Sequence, residues 1–404
     1  MKKNIALVGI ALLTLGVTSC KKKGCTDEAA SNYDADAKKD DQSCLYDTVT
    51  PPPPGPVAPS TYVFTDANGN STVSYSGQQI RLEYLTEMTS YMKTSNTSGT
   101  SVSAATLKDM YAHSGYTWAD APNLNMNDAG NTKQLKNKTA GGDAIITALY
   151  EGYMDSIANA SMSSSAGSAG VAGVVTSTTN PSKAYLQDAK GVEWTQLIEK
   201  GLMGACFYYN ISSVYLAAGK MNVDNTTAVD AAGGKYYTAM EHHWDEAYGY
   251  FTSEIDYPTN GTNRFWGKYA NSRESILGSA TAIGNAFRLG RAAISMNDLT
   301  VRDAQIAIIN TEVEKMIAGT AIHYLNGAVN DVADDALRNH QISEAVAFIQ
   351  GLAYGANPTI SNTQIAAVLA TIGDDYYNVT VADLNSARDQ LSTIFSMDDI
   401  KTAL

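Results

Sequence analysis

The segment Glu241 to Phe251, EHHWDEAYGYF, gathers two of the chain's five histidines beside Glu241, Asp245 and Glu246, with Glu254 just beyond. Imidazole and carboxylate together can exchange protons, or ligate Fe, Zn or Mn. On a helix turning about 100° per residue, Met240, Trp244, Ala247 and Phe251 fall on one stripe, the expected buried face. His243 and Glu246 then converge at the edge of that stripe, while His242, Asp245 and Gly249 point away from it. In helical bundles metal ligands project inward from facing helices, often at i,i+3 spacing, so one helix supplies two ligands and others must come from elsewhere. A second candidate pair is His340 with Glu344, beside the apolar face of Leu337, Ala345, Phe348 and Leu352. Glu312 and His323 share a helix flank but lie about 16 Å apart along the axis, too far to hold one ion. A hydrogen-bonded polar pair at a core edge is the plain alternative for both candidates.

Other chemistries find little support. The chain has no H-E-x-x-H, no G-x-S-x-G and no phosphate-binding glycine loop after a strand,. Carboxylates for a two-acid glycosidase are plentiful, but nothing pairs them specifically. No C-x-x-C spacing suggests zinc.

The elements that must position these residues begin after an export signal. Lys2 and Lys3 precede the apolar run IALVGIALLTLGV, and VTSC ends at Cys20. Residues 1–19 read as a lipoprotein signal, with Cys20 as the lipid-bearing residue that attaches the mature chain to a membrane. Lys21 to Lys23 then sit beside the headgroups. Removing Lys2 and Lys3 takes the formal charge from −13 to −15, which leaves no electrostatic footprint for nucleic acid. Residues 20–47 contain an acidic module bounded by Cys25 and Cys44, which export allows to pair as a disulfide. Asp34, Asp36, Asp40 and Asp41 could offer hard oxygen ligands to Ca²⁺, or simply be the solvated acids of a closed loop. Cys206, in a small-apolar helical context, is expected to be a buried free thiol. Residues 48–60, with four consecutive prolines, form a stiff spacer,.

Residues 61–404 are expected to be all-α. A short β-hairpin turns at Asn68–Gly69. About ten helices follow, grouped into two packed subdomains. They include Gly234 to Ser253, Ser272 to Met296, and a helix from Thr300, with Thr300 as its cap. Ser161 to Lys183, rich in Ser, Gly and Ala, reads as a mobile loop. Gly278, Ala282, Ala286 and Gly290 form a small-residue seam for close helix packing.

Four stretches carry a resemblance: VSYSGQQIRLEYL, EHHWDEAYGYF, GSATAIGNAFRLGR and EKMIAGTAIHYLN. Together they resemble the DUF4856 family of Bacteroidetes lipoproteins over residues 60–404. The Cys-bounded module is likewise similar to an Asp-rich motif of exported proteins from that group, with Gln42 where Gly is usual. In outline the chain is similar to the imelysin group, also called peptidase M75. These are exported proteins built as a pair of packed helical bundles and linked to iron uptake. Their G-x-H-x-x-E motif is matched here by His243 and Glu246, with Glu241 in place of Gly. The resemblance implies an outer-membrane lipoprotein that binds a metal ion, iron foremost and Zn or Mn after it, or an iron-bearing ligand. Outer-membrane uptake proteins would be its partners. A metal-dependent peptidase and a surface interaction or glycan-binding module are the alternatives.

Overall fold

The computed structural model describes residues 21–46, 55–121, 123–259 and 263–404. The signal, Cys20 and most of the proline spacer lie outside these residues. The chain divides into two compact units, Met1–Gly55 and Pro56–Leu404.

In the first unit, β1 (Lys23–Gly24) pairs in parallel with β2 (Lys39–Asp40). Cys25 and Cys44 form the expected disulfide, with Cα atoms 4.8 Å apart.

The second unit is helical. Its entry is a tight hairpin with a single bridge, Thr65 to Ser71, in which the Asp66 carboxylate accepts from the amides of Asn68 and Asn70. Then come α1 (Ser76–Lys93), α2 (Ala104–Ala112) and α3 (Ala144–Ser161). β3 (Gly173–Thr176) and β4 (Ala184–Gln187) follow as an antiparallel pair. This is the stretch whose composition suggested mobility. Val174 and Val175 pair with Leu186 and Tyr185, and Asp334 pins the hairpin's tip by accepting from Ser177 and Thr178 hydroxyls and from the amide and hydroxyl of Thr179.

Next, α4 (Trp194–Leu202) runs on into two π-helical turns, Met203–Tyr208 and Asn210–Tyr215, and α5 (Ala218–Met221) closes the segment. The Leu216 amide reaches back five residues to Ile211. The helix expected from Gly234 instead opens with a strand. β5 (Ala228–Asp230) pairs with β6 (Lys235–Thr238), and α6 (Ala239–Phe251) starts only where Thr238 and Glu241 form a reciprocal capping box,. The run expected from Ser272 to Met296 is two helices, α7 (Phe265–Leu277) and α8 (Ser279–Ser295). Gly278 breaks it with φ 66°, a left-handed conformation that suits glycine. Gly278 therefore lies at a break rather than on the seam.

α9 (Leu299–Asn330) is the 32-residue spine. Its cap is Asp298, which accepts from the Val301 amide, not Thr300. α10 (Asp335–Gly351), α11 (Asn362–Ile372) and α12 (Val381–Ile394) complete the unit. α9 packs against α7, α8, α10 and α12, and α10 packs in turn against α4. α10 thus links the group around α9 to the earlier helices, and residues 56–404 cluster as one compact unit. No helix among the described residues is long and apolar enough to cross a membrane.

Candidate functional site

α6 is held along its apolar stripe as expected. Met240, Trp244, Ala247 and Phe251 are buried. The Trp244 indole donates to the Phe287 carbonyl of α8 at 3.0 Å. Gly290 of α8 lies so close to the Trp244 ring that a methyl there would collide with it.

The opposite face corrects the sequence reading. Asp245 is fully buried, not exposed. One of its oxygens accepts from the Tyr62 hydroxyl at 2.8 Å and from Arg291 Nε at 3.0 Å, and the other from the Ser74 amide. Arg291 also donates to Glu241 at 2.6 Å and to the Thr72 carbonyl. Burial pushes the Asp245 carboxyl up to about 6, against the pull of Arg291. Gly249 is buried under Tyr75. The entry hairpin covers this face, so α6 is apolar on one side and ionic on the other, with both sides shielded from water. Helical phase alone sees only the first.

His243 and Glu246 do meet, with His243 Nδ1 3.0 Å from Glu246 Oε2. Gln78 of α1 donates to the other Glu246 oxygen at 3.0 Å. Burial works to raise the Glu246 carboxyl, but the bond from His243 and the neighbouring donors leave it below its usual range. His242 is not simply outward. Burial lowers its pKa, so the ring is neutral, and its Nδ1 lies 3.0 Å from the Ser74 carbonyl. That carbonyl can only accept, so the proton sits on Nδ1 and Nε2 keeps its lone pair. Nε2 lies 3.9 Å from Glu246, and Tyr237 stacks on the ring.

His242 and Glu246 line a polar cleft of about 380 Å³, together with Gln78, Arg81, Lys133, Lys138 and Tyr215. Arg81 donates to the Gln134 and Gly77 carbonyls. Lys138 donates to the Tyr215 hydroxyl at 3.0 Å and lies over that ring. Burial lowers the Lys138 ammonium below its ordinary pKa. Among the described residues, none of the three cations has a carboxylate within 4 Å. The cleft thus presents unbalanced positive charge around one carboxylate. Sequence reasoning missed Arg81, Lys133 and Lys138, because nothing local marks a lysine as lacking a partner.

The second pair is also more crowded than expected. His340 lies between two acids, with Nδ1 hydrogen-bonded to the fully buried Glu193 and Nε2 3.5 Å from Glu344. Tyr185 stacks on it, and Tyr269 donates to Glu344. Burial disfavours the imidazolium, yet the charge and hydrogen bond of Glu193 outweigh it and hold the His340 pKa above the ordinary value. A charged ring engaged at both nitrogens has no lone pair for a metal.

No group of three His, Cys, Asp or Glu side chains placed to hold a metal ion occurs among the described residues. His243 and Glu246 therefore meet as a pair and not as part of such a group among the described residues. In the acidic module Asp34 and Asp36 turn to Lys22, while Asp40 and Asp41 cap the Gln42 and Ser43 amides. Cys206 is a buried free thiol, its pKa pushed up to about 12 by burial.

A family model described as Domain of unknown function (DUF4856) matches residues 59–397. The chain belongs to this family. No curated protein and no solved structure matches it. Within this DUF4856 chain Glu246 of the H-x-x-E pair lines a cation-bearing cleft beside His242, while His243 is hydrogen-bonded to Glu246 without lining the cleft itself.

Proposed function

We propose that this DUF4856 protein is a binding module of the cell envelope, anchored to the outer membrane through Cys20, that takes a small multidentate anion in the α6 cleft. One observation carries the reading: Arg81, Lys133 and Lys138 line the cleft without a carboxylate partner. Desolvating a cation is costly unless an anion compensates it, and a bound polycarboxylate would supply that charge. Iron enters this reading as an anionic ferric chelate, with the charge of the ligand held by the cations. Gln78, His242 and Glu246 would then read the ligand's hydroxyls and carboxyls. Delivery of the chelate to outer-membrane uptake proteins is the role this binding serves. The metal-dependent peptidase reading has no converged ligand set to support it.

Calorimetric titration with ferric citrate, citrate alone, and Fe²⁺ or Zn²⁺ alone tests the proposal. Ferric citrate or citrate should bind, and Lys133→Ala with Lys138→Ala should weaken binding about tenfold or more, the scale of one lost charge-assisted contact. Absence of binding by either anion at millimolar concentration, or binding indifferent to the double substitution, would sink it. Tight uptake of the bare ion that vanishes in His243→Ala would restore direct ligation.

A further inference from the structure

A second cavity, of about 640 Å³, opens between α3, the start of α4, α10 and α11. That volume falls within the range of about 300–1,000 Å³ usual for small-ligand pockets. Leu197, Val346 and Leu369 give it an apolar floor, and Tyr153, Trp194 and Tyr376 give it aromatic walls. The Tyr153 and Trp194 rings lie 5.1 Å apart, tilted by 40°.

The polar groups of the rim are engaged with one another. Lys190 ion-pairs with Asp374. Asp188 accepts from the Lys190 and Val192 amides, and from the Trp194 indole at 3.0 Å. The last bond fixes the orientation of the indole plane and uses its only donor, so the ring offers just its faces and edges. The pocket's one cation, Lys190, is paired, and the Asp188 carboxylate is taken up by three N–H donors, in contrast to the unpaired cations of the α6 cleft.

A ligand suited to this cavity is uncharged, has a flat apolar face for the aromatic walls, and has an edge of hydroxyls for the rim. A pyranose ring has these features: axial C–H bonds on one face and hydroxyls around the perimeter. We infer that the Trp194 pocket is a second, independent site, for a neutral sugar residue of a glycan. The C–H face packs on Trp194 or Tyr376, while Gln350, Lys190 and Asp374 exchange hydrogen bonds with the hydroxyls. The α6 cleft plays no part in this site.

The experiment titrates the folded protein with maltohexaose, cellohexaose, mannohexaose and xylohexaose, read by calorimetry and intrinsic tryptophan fluorescence. At least one should bind saturably. Trp194→Ala should weaken it about tenfold or more, as loss of an aromatic platform does. Trp194 is half-buried, so Ala370→Trp supplies the second variant. Ala370 is an exposed residue of α11 at the pocket wall, and an indole there fills the cavity while the melting temperature stays at the wild-type value. Lys138→Ala should leave sugar binding unchanged. The inference is overturned if none of the four sugars binds at millimolar concentration, or if binding survives both pocket variants. It is equally overturned if 1-octanol binds and Ala370→Trp abolishes that binding while no sugar binds.

Discussion

Arg291 shows how a single side chain can organise a region. It is fully buried, touches Asp245 and Glu241 of α6, and reaches Thr72 of the entry hairpin. Replacing it with Met strands two buried carboxylates, and breaking a buried pair costs about 3–5 kcal/mol. Arg291→Met should therefore lower the denaturant midpoint strongly, while Lys138→Ala should leave it nearly unmoved. His340 gives a pH signature. Its folded pKa is raised above 6.5, so its contribution is fully present below pH 6.5 and fades as pH rises through the raised value. His340→Gln should cost most stability in mildly acidic buffer, and the gap from wild type should narrow in alkaline buffer. Denaturant titrations at both pH values check this. Glu246 runs the other way. Its pKa is lowered from 4.5, so its contribution holds above that value and is lost as pH falls through the lowered one.

At the scale of elements, what could be read from the sequence was whatever is local. α11 and α12 show how compact such signals are: each opens on a capping box, at Ser361 and Thr380, within a few residues of its apolar period,. The β3–β4 hairpin does not emerge, since its clamp, Asp334, lies more than 150 residues away and Ser and Gly reveal nothing of a distant acceptor. Asp334→Ala removes four hydrogen bonds to the hairpin tip and the cap of α10. Amide exchange across residues 173–187 should accelerate in that variant while α9 stays protected. The small-residue seam was half legible. Ala286 and Gly290 are buried on α8, but Gly278 marks the chain break. Gly290→Ala should destabilise by about 1–3 kcal/mol through overpacking on Trp244, where an exposed Gly→Ala in a helix would stabilise.

Across the whole molecule, the all-α class was readable from periodicity, but the way the helices share a core was not. α9 serves α7, α8, α10 and α12 at once. Calorimetry of the helical unit should accordingly show one cooperative transition rather than two. The site was readable to the same partial extent. His243 with Glu246 follows from helical phase, whereas Arg81, Lys133 and Lys138 reach the cleft from segments separated by some fifty residues. Their significance also depends on something absent from any local pattern, a missing partner in a chain of net charge −13. An anion held there should be released as pH rises through the lowered Lys138 pKa, and Lys138→Arg should flatten that loss,. Titration of citrate across alkaline pH reads this directly.

The wide turns after α4 carry one more implication. In a π-helical turn an N–H reaches back five residues, so the helix contains one residue more than regular α spacing would. Two such turns, Met203–Tyr208 and Asn210–Tyr215, end at the tyrosine that meets Lys138 in the cleft. Excising one residue from within Met203–Tyr215 would let one wide turn close to ordinary α spacing, and because that turn absorbs the surplus residue, the helix beyond would keep its phase. Excising one residue from α4, which carries no surplus, would instead swing everything beyond by roughly 100°, and Tyr215 would lose Lys138. The cleft is thus set partly by arithmetic: where a residue is lost matters as much as which residue it is, and a deletion that the wide turns absorb would, a turn or two earlier, dismantle the site.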